Sequence, residues 1–110
     1  MSLQHCTDED RAIIAESLKA AAEGPFFPDW EFSTLFGIER TEVAEVAQLW
    51  PHVNEFDKRV ELAVNNALGN LAGYPHGHEH DWDRFVSVPP ARLLEALKRW
   101  RLPCGATVSR

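Results

Sequence analysis

The chain has 110 residues, 45% of them hydrophobic and 25% charged, with a formal net charge of −6. That length supports one hydrophobic core, and the composition is too apolar for intrinsic disorder. The acid excess argues against nonspecific nucleic-acid binding, which needs surplus Lys and Arg, and no apolar run approaches the ~20 residues of a membrane span.

The opening Met1-Ser2-Leu3-Gln4-His5-Cys6 has neither the basic region nor the apolar stretch of a signal peptide, so a cytoplasmic protein is expected. Cys6 and Cys104 are too few for a disulfide framework and are read as free thiols. Charge is unevenly spread. Residues 1–57 carry twelve carboxylates against Arg11, Lys19 and Arg40, a net −9, whereas residues 58–110 carry +3. Such halves either complement each other within one fold or present a dipolar surface to a partner.

Thr7, followed by Asp8, Glu9 and Asp10, starts the first helix: a hydroxyl caps open N–H groups and acids sit at the positive end of the dipole. Ile14, Leu18 and Ala21 recur at helical spacing until Gly24 and Pro25 end the run, giving a helix over 7–23. Asp29 then opens a short aromatic helix over 29–36, in which the i, i+3, i+4 spacing of Phe32, Leu35 and Phe36 marks a core face. Val43, Val46, Ala47 and Trp50 define a third helix over 40–50, stopped by Pro51.

The longest helix is expected over 55–72, with Val60, Val64, Ala67, Leu68 and Leu71 on one face. Asn65, Asn66 and Asn70 are poor helix formers inside it, and their amides are expected to face water or to satisfy backbone in the loop that follows. Residues 73–88 lack helical period and read as a long loop. Pro89-Pro90 opens the last helix, over 90–101, whose Leu93, Leu97 and Trp100 share a face, with Lys98, Arg99 and Arg101 at its negative end. The expected fold is therefore all-α, a compact single-domain bundle of about five helices with one long loop before the last. Its core should include Ile14, Leu18, Phe32, Phe36, Val46, Trp50, Val64, Leu68, Leu71, Leu93, Leu97 and Trp100. Residues 1–6 and 103–110 read as mobile tails.

The segments Phe27-Pro28-Asp29-Trp30-Glu31-Phe32, Leu35-Phe36-Gly37, Val64-Asn65-Asn66-Ala67-Leu68 and Gly73-Tyr74-Pro75-His76-Gly77 resemble a group of small bacterial proteins of unassigned function. The resemblance spans the first to the last helix. It implies no activity and no catalytic residues.

The most specific local feature is His76-Gly77-His78-Glu79-His80-Asp81-Trp82-Asp83, three imidazoles and three carboxylates in eight positions. In an extended segment alternate side chains share a side, so a turn at Gly77 can bring imidazoles to zinc-binding distance. A site here would use His76 and at least one of His78 and His80, with Asp81 or Asp83. No Cys pair or helical His-Glu motif completes it, so a solvated loop that takes zinc or nickel adventitiously is expected, and no resident cofactor.

Enzyme motifs are missing: there is no Gly-x-Ser-x-Gly, phosphate-cradling loop or dinucleotide fingerprint. His52 near Glu55 and Asp57 reads as a capping turn, and Cys6 lies in a terminus expected to be too mobile to hold a nucleophile. Two readings remain: a small acidic protein-interaction module of adaptor, regulator or toxin-neutralising type, binding a protein partner or itself, and, as the alternative, a metal-binding or metal-sensing protein that uses the His-rich loop 76–83. Phe26, Phe27 and Trp30 are the expected anchors of the interaction module, because they follow a Gly-Pro break and exposed rings bury large area at little entropic cost.

Overall fold

The computed structural model describes residues 2–102. Five α-helices, α1 (Asp8–Glu23), α2 (Asp29–Phe36), α3 (Arg40–Leu49), α4 (Lys58–Gly73) and α5 (Pro90–Trp100), are joined by short turns and one long loop. Two 3-10 segments, Leu3–His5 and Glu79–Arg84, complete the regular structure, and no strand occurs among the described residues. No helix among them is long and apolar enough to cross a membrane.

Local chemistry sets the helix ends. At α1 the Thr7 hydroxyl accepts from the Asp10 N–H at 3.0 Å while the Asp10 carboxylate accepts from the Thr7 N–H at 3.0 Å, closing a reciprocal capping box. Gly24 ends α1 because there is no room for a side chain: a Cβ would lie 2.6 Å from the Ala20 carbonyl oxygen and 2.9 Å from the Phe26 ring. Gly37 ends α2 at φ 75°, the left-handed conformation that glycine adopts without strain.

The amides of α4 reach back rather than forward. Asn66 Nδ2 donates to the Phe36 carbonyl at 2.8 Å and Asn70 Nδ2 to the Leu35 carbonyl at 3.0 Å. These are among the terminal carbonyls that α2 cannot satisfy itself, so the asparagines cap a preceding helix and not the following loop. Only Asn65 turns outward, accepting from Arg101 Nε at 2.8 Å.

α4 is central, packing against the other four helices. It begins at Lys58 and not near Glu55, because Asn54 Oδ1 first accepts from the Phe56 N–H and Asp57 then caps by accepting from the Arg59 N–H. Of the expected core, Trp50 alone is only half-buried; it sits just past α3, with its indole N–H donating to the Arg11 carbonyl at 3.0 Å. Ile14, Leu18, Phe36, Val64, Leu68, Leu93 and Trp100 are fully enclosed.

The expectation of a mobile start does not hold for residues 2–6. Ser2 N–H donates to the Trp100 carbonyl at 2.9 Å, its hydroxyl to Glu55 at 2.7 Å, and Leu3 and Cys6 join the core. The expected tail at 103–110, including Cys104, lies outside the described residues.

The expected aromatic anchors divide. Phe26 and Phe27 are 1% and 3% exposed, whereas Trp30 is 80% exposed. Neighbouring side chains in an extended segment point to opposite sides, and here both sides are interior. Phe26 enters the loop cluster, edge-on to His76, Trp82 and Phe85, while Phe27 meets Phe36 and Tyr74. Arg40 fixes this segment from outside, donating to the Ala21 and Phe27 carbonyls and to Asp29.

Candidate functional site

The loop after α4 is pinned along its length. Tyr74 hydroxyl donates to Glu31 Oε2 at 2.6 Å, and that bond, with partial desolvation, raises the phenol pKa. Gly77 turns the chain at φ 74°, and the His78 N–H donates to His76 Nδ1 at 2.9 Å. The indole N–H of Trp82 donates to the Val88 carbonyl at 2.7 Å, closing the loop on itself. Ser87 donates from both its backbone N–H and its hydroxyl to Glu16 on α1. Pro89 and Pro90 then start α5, where a missing N–H costs nothing.

Between this loop and the facing ends of α4 and α5 lies a cleft of about 470 Å³. Leu71, Tyr74, Trp82, Val88 and Pro90 supply its apolar wall, and Glu79 and Asp83 supply its carboxylates. Among the described residues, no Lys or Arg lines it. Its volume falls in the range of small-ligand and side-chain pockets, and its electrostatic character is acidic. The signal for it in the sequence was the aromatic-proline content of 74–90, which reads as loop anchoring until the partners are known.

On another face of the same loop, His78 Nδ1 and Asp81 Oδ2 meet at 3.3 Å, and His80 Nε2 approaches the same oxygen at 3.2 Å. The donor atoms of the three residues all lie within 4.8 Å of one another. Arg84 Nη1 holds the other Asp81 oxygen at 3.3 Å. Desolvation pushes the Asp81 pKa up, but the His78 hydrogen bond, His80 and Arg84 outweigh it and hold the carboxyl below its ordinary value. The structure thus joins His78, His80 and Asp81 and sets the other two candidate ligands apart. His76 is packed between Phe26, at 4.8 Å, and Trp82, at 6.1 Å, and lines the cleft, as does Asp83.

The other nominated chemistry is structural. Asp57 caps α4, Glu55 accepts from Ser2, and His52 is exposed. Cys6 is a buried free thiol whose pKa is pushed up to about 11, chiefly by burial and then by the Asp10 carboxylate, so it is a poor nucleophile. Sequence reasoning missed Asp10 as a buried charge. It took Asp10 for a helix-dipole residue, whereas the carboxylate is enclosed between Arg92 and Arg99 of α5.

No protein-family model, curated protein or solved structure matches the chain.

Proposed function

We propose that the protein is a small interaction module that binds a basic segment of a partner protein, with the α4–α5 cleft as the recognition element. The observation that carries this reading is the cleft's lining: aromatic and proline walls with two carboxylates and, among the described residues, no Lys or Arg. A Lys or Arg side chain gains there both ring contact and charge pairing.

The exposed Trp30 of α2 offers a second anchor. It neighbours Glu31 in sequence, whose carboxylate accepts from the hydroxyl of the cleft-lining Tyr74. Asp29 and Glu31 adjoin it in sequence, and acidic residues near an aromatic anchor steer a basic partner by long-range attraction. The arginines of α5 and its C-cap are already engaged, Arg92 and Arg99 by Asp10 and Arg101 by Asn65, which disfavours nucleic acid as the partner.

Fluorescence anisotropy with labelled peptides of equal length, Lys-rich, Arg-rich or Glu-rich, tests the reading. The basic peptides bind, binding weakens with added salt, and Glu79→Gln/Asp83→Asn abolishes it while leaving the circular-dichroism spectrum unchanged. Equal binding of acidic and basic peptides, or an unaffected double variant, refutes it. Trp30→Ala should weaken binding about tenfold or more, as the loss of an aromatic anchor residue does.

A further inference from the structure

We infer that His78, His80 and Asp81 form a transition-metal site, with zinc as the ion that suits it. Two imidazole nitrogens and one carboxylate oxygen are a donor set for zinc or nickel and a poor one for calcium or magnesium, which take oxygen shells.

The spacing of the donors supports this. Zinc bonds of about 2.0–2.1 Å in a tetrahedron place neighbouring ligand atoms about 3.3–3.4 Å apart. The His78 Nδ1–Asp81 Oδ2 and His80 Nε2–Asp81 Oδ2 separations are 3.3 and 3.2 Å, so two edges of that tetrahedron are already formed. The third edge, between the two imidazoles, is no longer than 4.8 Å. It closes by a rotation of the His80 side chain, which is 77% exposed and meets little resistance.

The surroundings prepare the site. Asp81 is 16% exposed, and Arg84 occupies its Oδ1, leaving Oδ2 for the ion. The His78 N–H is fixed by His76, and the Asp81 N–H donates to the His78 carbonyl at 2.9 Å, so one backbone turn sets residues 78 and 81 side by side. Outer contacts of this kind orient ligands before a metal arrives. Adventitious binding was expected of a mobile loop, but the Trp82–Val88 and Ser87–Glu16 bonds hold this one in place. Three protein ligands leave a fourth position open to water or to an outside donor, the arrangement of zinc sites that exchange a ligand.

The test uses the full chain without an affinity tag, stripped with chelator and titrated with zinc sulfate by calorimetry and by competition with a chromophoric chelator. One zinc binds per chain. His80→Ala and His78→Gln each reduce affinity by about 10- to 100-fold or more, since even outer-shell changes at metal sites cost about that much. His52→Ala, a change at an exposed histidine outside the loop, leaves affinity unchanged. In the proton NMR spectrum, zinc shifts the His78 and His80 imidazole signals and not that of His52. His80 is too exposed for its replacement to unfold the protein, so lost binding in His80→Ala reports on the site. No stoichiometric zinc, several equivalent weak sites, or affinity indifferent to both loop substitutions overturns the inference. Peptide binding plays no part in these readouts, so the two proposals stand or fall separately.

Discussion

Replacing Asp10 should destabilise the fold more than any other single polar substitution among the described residues. The carboxylate is 0% exposed. Arg92 Nη1 forms an ion pair with its Oδ1 at 2.8 Å, Arg99 Nη2 donates to the same oxygen at 2.8 Å, and Arg99 Nε reaches Oδ2. The Thr7 N–H completes the set. One group thereby joins the first turn of α1 to α5. Removing one member of a buried pair costs about 3–5 kcal/mol, because the remaining charge keeps its desolvation cost without its partner. Both arginine side chains retain access to water, at 20% and 32%, which moves the expected cost to the lower end of that range. The lost capping box adds about 1 kcal/mol. Asp10→Ala should therefore cost about 4 kcal/mol, a large part of the 5–15 kcal/mol that typically holds a domain together. Asp10→Asn keeps the shape and should cost less.

The assay is urea unfolding followed by circular dichroism, with the slope checked for two-state behaviour. A cycle with Arg99→Met should return a coupling of about 2 kcal/mol, within the range for residues in one polar network. The pH dependence gives a second readout. Burial alone would raise the Asp10 pKa, but hydrogen bonds from Arg99 and the Thr7 N–H, with the Arg92 ion pair, hold it well below the usual carboxylate range. The folded value is depressed, so this stabilisation is complete above the unfolded pKa of about 4 and is lost as pH falls toward the folded value. Wild type should lose more stability than Asp10→Asn on acidification below about pH 4. An Asp10→Ala variant within about 1 kcal/mol of wild type, or parallel acid profiles for wild type and Asp10→Asn, would refute the reasoning.

Asn66→Ala and Asn70→Ala should each cost about 1 kcal/mol in the same unfolding assay, because each leaves a terminal carbonyl of α2 without its donor. Gly24→Ala should cost about 1–3 kcal/mol, since the new Cβ meets backbone oxygen at 2.6 Å and the enclosed Phe26 ring at 2.9 Å. In a Cys104→Ser background, Cys6 should resist Ellman's reagent at mildly alkaline pH in the native protein and react promptly in urea. Its burial and raised pKa leave little thiolate to attack.

The helices were legible because their signals are local. The capping box at Thr7, the Asp29 to Phe36 run and the Pro90 start each depend on residues within one or two turns, and α2 and α5 appear within a residue of the expected bounds. Burial was less legible where it depends on distant partners. Phe26 and Phe27 follow a helix break and look stranded, yet the loop from His76 to Phe85 and the rings of α2 arrive from later in the chain to enclose them. Ser2 to Cys6 has no periodicity, and its order comes from Trp100 and Glu55. The asparagines of α4 announced a polar task, but their acceptors lie about thirty residues earlier, beyond any local rule.

The histidine segment turned on its period. Read as extended, it alternates, and His76, His78 and His80 fall on one side. Residues 79–84 instead wind as a 3-10 segment, in which side chains three apart eclipse. His78 at the cap therefore meets Asp81, while Glu79 and Trp82 line the cleft together. His76 precedes the winding and is drawn into the aromatic cluster by Phe26 and Trp82. The same eight residues thus yield two faces of different chemistry: an acidic-aromatic wall and an imidazole-carboxylate triad. The left-handed Gly77 permits the division, because it reverses the chain between His76 and His78. With a β-branched residue at position 77 that turn is strained, and the two imidazoles lose the backbone bond that now separates their roles.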